Sequence, residues 1–174
     1  MNKRKQHGVM LIEALIAILI FSLGILGMVA MGSVAIAAQS DSQYRTDAAN
    51  YASEIVSEMS IQLQTASYNA AATAFNTDPV LQTFAHQPTS GGYCSFAGAA
   101  SSNAAVLDWV SRISGAVDAK RALPGATNVS QQITVDQTPG AGNRVTVTIC
   151  WQPPSSAAVT FAPMHRYELV SYIN

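Results

Sequence analysis

From Ala14 to Ala38 the chain carries no charged residue, and from Val9 to Ala38 it carries one, Glu13. A helix needs about 20 apolar residues to cross the hydrocarbon core of a bilayer, and this segment meets that length without a proline. The residues before it, MNKRKQHG, are short, polar and basic. They hold Lys3, Arg4 and Lys5, three of the nine basic residues of the chain. A basic flank favours retention of that end in the cytoplasm, so the chain beyond the apolar segment is expected across the membrane.

The rest of the composition fits one further body. A chain of 174 residues is long enough for one domain, and 11% of it is charged, against about 25% in an average soluble domain. Net charge is −1, and beyond the first eight residues six basic residues face ten acidic ones. Past that start no basic run resembles a nucleic-acid footprint, so a nucleic-acid partner is not expected. His7, His86 and His165 are isolated, and two cysteines without paired histidines make a poor metal site. No nucleophile elbow, zinc-protease motif or phosphate-cradling glycine loop occurs. No catalytic residue, cofactor or metal is expected. Asp108 and Asp118, like Glu54 and Glu58, are read as solvated helix faces.

After Asp41 the pattern turns amphipathic. Tyr44, Ala48, Tyr51, Ile55 and Met59 recur every three or four residues, one stripe of a helix and a core face. No glycine or proline interrupts residues 33–63, so one helix is expected from about Met10 to Leu63. Residues 64–103, rich in Ala, Ser, Thr, Asn and Gly, predict loops with short helical turns. A second helix is expected from the N-cap Asn103 to about Ala122, with Val106, Trp109 or Val110, Ile113 and Val117 as its stripe and Leu123-Pro124-Gly125 as its stop. Ile133 and Val135 begin a β pattern. Val145, Val147, Ile149 and Trp151 alternate with Thr146, Thr148 and Cys150, and Pro139–Asn143 reads as the hairpin turn between the runs. Residues 165–173 predict a third antiparallel strand, and Val159–Phe161 a short fourth. The expected fold class is α+β: a long N-terminal helix packed by its second half on an antiparallel sheet of three to four strands. The boundaries are 1–8, a basic leader; 9–38, the transmembrane half of the helix; and 39–174, the globular domain with the amphipathic half.

The run Lys5-Gln6-His7-Gly8-Val9-Met10-Leu11-Ile12-Glu13-Ala14-Leu15 resembles the leader of type IV prepilins. The resemblance implies that a prepilin peptidase cuts after Gly8 and methylates the new amine of Val9, where the family usually has phenylalanine. Glu13 then becomes the fifth mature residue. A carboxylate in a lipid helix costs about 2.5–3.5 kcal/mol on insertion scales. In pilins the resemblance implies that this glutamate neutralises the N-terminal amine of a neighbouring subunit, so two costly charges meet only in the correct register. Taken alone, Glu13 equally fits a residue near the membrane edge whose carboxylate snorkels to water.

Leu23-Gly24-Ile25-Leu26-Gly27-Met28 is similar to the apolar helix of minor pilins of the PilV kind, as are Leu107-Asp108-Trp109 and Val145–Trp151 to their later segments. The resemblance implies a low-abundance subunit that starts or caps a pilus. Its partners would be other minor pilins, the major pilin, the inner-membrane assembly platform, a tip adhesin, and the lipid bilayer before assembly. Gly24, Gly27 and Gly32 either serve close packing in a filament or are merely tolerated. Export to the periplasm would permit a Cys94–Cys150 disulfide, and closing that loop is worth roughly 4 kcal/mol in the chain-entropy model. The alternative is two separate buried thiols.

Three other readings stand beside this one. A type II secretion pseudopilin shares leader, glutamate and long helix. A secreted binding domain would use Ala35-Ile36-Ala37 as a signal-peptidase site. A membrane-anchored protein of another role would never be cut. The intact mass of the mature protein separates them: a start at Val9 carrying one added methyl is expected, and Gly8→Leu should abolish that processing. A start at Ala38, or an uncut chain, would refute the leader assignment.

Overall fold

The computed structural model describes residues 9–69, 79–88, 94–115, 123, 125–153 and 163–173. In chain order they form α1 (Val9–Asn69), α2 (Pro79–Gln82), α3 (Ala104–Ser114), β1 (Thr127–Asp136), β2 (Arg144–Gln152) and β3 (His165–Tyr172). The layout is α+β, with an apolar N-terminal helix and a three-stranded antiparallel sheet of order β1-β2-β3. Two compact units divide the chain, Met1–Ser42 and Gln43–Asn174. The expected leader 1–8 and the short strand Val159–Phe161 lie outside the described residues.

In the first unit α1 is apolar on every side, and its large side chains from Met10 to Met31 are exposed. Its one described polar hydroxyl below Ser40, that of Ser22, donates back to the carbonyls of Ile18 and Leu19. Such back-bonding removes an unsatisfied donor from an apolar surrounding.

In the second unit the helical stripe is Tyr44, Ala48, Ala52, Ile55, Met59 and Leu63, all buried in one core with Trp109, Ile133, Val145, Val147, Ile149 and Trp151. Tyr44 lies against Trp151 with ring centroids 6.5 Å apart. Tyr51, expected in the stripe, is only half-buried. It flanks the core, and its carbonyl accepts the indole N–H of Trp109 at 2.8 Å. α1 also continues past Leu63 to Asn69, where loop was expected. No glycine or proline stops it there, and the Thr65 hydroxyl bonds within the helix to the Ile61 carbonyl.

α3 is shorter than its composition suggests. Asn103 caps it as expected, its side chain accepting from the Ala105 N–H at 2.9 Å. It ends at Ser114 rather than near Ala122, because Gly115 adopts a left-handed backbone (φ 74°) and turns its N–H back to Arg112 and Ser111. That geometry is the glycine stop of an α-helix. Val106, Trp109 and Ile113 face the core. Val117 lies outside the described residues.

The β1–β2 hairpin forms as expected, and its register sets Val135 opposite Val145 and Ile133 opposite Val147. Its turn is tied by Asp136, whose carboxylate accepts from the Thr138 N–H and hydroxyl and from Arg144. Those bonds, Thr138 first, hold the Asp136 carboxyl below the usual range. Gly140 and Asn143 take positive φ in the turn, which glycine and asparagine tolerate.

One link lay beyond sequence reasoning. His86 pairs by backbone with Ile133 and so extends the sheet beyond β1. Its Nδ1 accepts the Ser101 N–H at 3.1 Å. The Ser101 hydroxyl donates to the Thr83 carbonyl at 2.5 Å and accepts the Asn103 N–H at 3.0 Å. The buried imidazole is therefore wanted neutral, and burial lowers its pKa from the ordinary 6.5. Below that value the unfolded chain takes up a proton that the folded chain resists, so this contribution is whole above it and is lost as pH falls. Urea unfolding midpoints should drop between pH 7.5 and pH 5.5, and His86→Gln should flatten that drop. Equal slopes in both proteins would contradict the role given to His86.

Candidate functional site

Two features of this chain are candidates for a functional role. The first is the apolar half of α1. Met10–Gly32 is long and apolar enough to cross a membrane, and none of it is buried within the chain. A patch of this size on a monomer requires a cover of lipid or of another protein. Glu13 lies in it, exposed, near its N-terminal end. At 100° per residue, Ile20, Gly24, Gly27 and Met31 share the helix face of Glu13. A Cβ added at Gly24, Gly27 or Gly32 would meet nothing within 4 Å. Nothing within this chain therefore asks for glycine at those positions. Gly8 lies outside the described residues, and Val9 is the first residue of α1.

The second feature is built around the cysteines. Cys94 and Cys150 form a disulfide, with Cα atoms 6.4 Å apart and a sequence separation of 56. The bridge is buried with Phe96, and Met164 packs against it. It pins the segment after residue 93 onto the face of β2 that looks away from the α1 stripe. In sequence, Thr148 and Cys150 alternate with the apolar residues of the strand. In the structure both are buried, Cys150 in a cluster with Cys94 and Phe96.

Beside the bridge lies a cavity of about 650 Å³ lined by Arg45, Ser95, Phe96, Met164, His165 and Arg166 among others. Register explains the meeting of its strand residues: Arg166 is opposite Cys150, and His165 is opposite Trp151. The His165 ring lies over the Trp151 indole at 5.9 Å. In sequence His165 reads as isolated, and the β2–β3 register, which sequence does not state, sets it opposite Trp151.

The acidic residues of the helices have structural partners. Arg112 of α3 forms an ion pair with Glu54 of α1 and another with Asp108 at 2.9 Å. Burial opposes its charge, but the two carboxylates outweigh it and raise the pKa. Glu58 accepts from Gln62 at 2.8 Å. Partly exposed pairs of this kind contribute at most about 1 kcal/mol each, whereas truncating a fully buried tryptophan such as Trp109 costs about 3–5 kcal/mol. Asp118 lies outside the described residues. Among those described, no three His, Cys, Asp or Glu side chains group as metal ligands.

No protein-family model, no curated protein and no solved structure matches this chain.

The denatured, unreduced protein should show no reactive thiol, in keeping with the bridge. A Cys94→Ser, Cys150→Ser double variant should lose about 2–5 kcal/mol of domain stability by denaturant titration. Two titratable thiols in the wild type would remove the disulfide.

Proposed function

We propose that the chain is an assembly subunit, a minor pilin of the type IV pilus of the PilV kind. It is made with a leader that ends at Gly8 and is held in the bacterial inner membrane by the apolar half of α1 until it enters a fibre. The observation that carries this reading is a lone carboxylate, Glu13, on a helix whose apolar surface is wholly exposed. Lipid would cover the apolar side chains but would leave the carboxylate costly. A neighbouring subunit that presents a cationic amine, that of Val9 after cleavage, satisfies both requirements at once. The unexplained glycines on the Glu13 face support the same reading, since small residues let a second helix approach. The α+β layout, with a membrane-length helix leading into a disulfide-bridged domain, accords with export of that domain to the periplasm.

In this reading the prepilin peptidase and the assembly platform act on the N-terminal segment. Other minor pilins, the major pilin and a tip adhesin meet the assembled subunit. A secretion pseudopilin would use the same charge rule, so the two are separated by phenotype. Deletion of the gene should impair piliation and leave protein secretion intact, and the reverse outcome would reassign the subunit.

Removing one partner of a buried ion pair costs about 3–5 kcal/mol, which corresponds to roughly two orders of magnitude or more in an equilibrium. Glu13→Gln should therefore be cut and folded normally but nearly absent from sheared fibres, as measured by immunoblot against the membrane fraction. Wild-type incorporation of this variant would end the proposal.

A further inference from the structure

The two edges of the sheet are built differently. The β1 edge is irregular, with a shift of register between Thr127 and Ser130, and it is covered where His86 exchanges backbone bonds with Ile133. The β3 edge is straight. Its register against β2 runs unbroken from Arg144 opposite Tyr172 to Trp151 opposite His165. One residue further on, the Ile173 N–H donates to the Asn143 carbonyl at 3.2 Å, so that opposed pair is a hydrogen-bonded one. Such pairs alternate with open ones along an antiparallel ladder. Tyr167, Leu169 and Ser171 therefore bond to β2, while Arg166, Glu168, Val170 and Tyr172 turn their N–H and C=O groups outward. No described residue bonds to those outward groups.

The side chains of the same residues share one face of the strand and are exposed. Val170 is 47% exposed and Tyr172 62%. Arg166 and Glu168 pair with each other at 3.4 Å, so the edge carries no net charge. Sheets usually blunt an open edge with a proline, a bulge or a repelling charge. β3 has no proline and no register shift, and its charges cancel. A second copy fits this edge poorly. Pairing two β3 edges antiparallel turns one copy end for end, so the residue-43 ends of the two α1 helices leave in opposite directions. Chains anchored in one membrane by the segment just before residue 43 carry those ends on the same side.

We propose that the β3 edge takes up an extended segment of another protein, laid antiparallel beside it as a further strand. Main-chain bonds to the outward groups from Arg166 to Tyr172 supply the affinity, and alternate side chains supply the selectivity. Apolar and opposite-charge cross-strand pairs are the favourable ones. The segment therefore carries β-branched or aromatic residues opposite Tyr172 and Val170, a basic residue opposite Glu168 and an acidic one opposite Arg166. The exposed Arg166–Glu168 pair is weak enough to be exchanged for those contacts. The docking site uses neither Glu13 nor the apolar helix, so it stands apart from the assembly reading.

The test uses the full chain in micelles of an uncharged detergent, with the disulfide intact. The probe is a labelled, end-capped peptide that reads valine, threonine, valine, threonine, lysine, threonine, glutamate from its N-terminus. It should bind saturably below millimolar concentration in fluorescence anisotropy, and the same peptide N-methylated on its edge-facing amides should not bind. In hydrogen exchange the amides of Glu168 and Val170 should be fast in the free chain and slow with peptide, while those of Tyr167 and Leu169 stay slow in both. Val170→Pro removes an outward N–H that β2 does not use, a position where an edge strand tolerates proline. Its melting temperature should be unchanged and its peptide affinity about tenfold lower or worse. Exchanging the lysine and glutamate of the peptide should also weaken binding. The proposal is overturned by absence of saturable binding, by equal binding of the N-methylated or charge-exchanged peptide, or by a folded Val170→Pro that binds like the wild type. A concentration-dependent dimer that Val170→Pro abolishes would overturn it too, by giving the edge to a second copy.

Discussion

The middle of β2 is shielded from water on both faces of the sheet, and residues 43–174 are organised to supply the two covers. Val145, Val147, Ile149 and Trp151 face one way and are fully buried. The stripe from Tyr44 to Leu63 lies on that side, with α3 beside it. Thr148 and Cys150 face the other way and are buried as well, Cys150 in a cluster with Cys94 and Phe96. The bridge is therefore part of the sheet's packing, besides its effect on the unfolded chain.

The helical cover is fastened by unequal forces. Trp109 fills the angle between α3, α1 and the sheet, and its indole N–H finds the Tyr51 carbonyl. A buried aromatic of that size dominates the local energetics, and its hydrogen bond prevents a polar atom from being stranded. The Arg112 pairs with Glu54 and Asp108 sit at the rim of the same contact. They orient α3 more than they hold it. On the far side of the core, His86 joins the sheet by its backbone and, through Ser101, the cap of α3 by its side chain. One neutral imidazole thus links the start of a helix to the edge of a sheet.

The apolar part of α1 obeys the opposite rule. Between Met10 and Gly32 no described residue covers it, and the glycines there have open space around them. Inside the domain, small residues such as Ala48 and Ala52 are explained by what packs on them. In the apolar segment the same kind of residue has no such explanation within one copy. Its physical context is a second solvent, lipid, or a second protein surface.

Sequence alone determined whatever depends on a pattern of neighbours along the chain. The membrane-length segment, the helical stripe, the Asn103 cap and the hairpin are all local, because periodicity and turn chemistry act over a few residues. The α3 stop at Gly115 is also local in kind, set by one left-handed glycine upstream of Leu123-Pro124-Gly125. Tertiary structure decided the rest. It showed that Thr148 is buried, that His86 extends the sheet, and that Arg45, His165 and Arg166 line one cavity. Each of these outcomes depends on which distant segment covers a given face. Alternation along a strand states only that its two faces differ; the cover on each face is settled by strand register and by a disulfide that spans the domain.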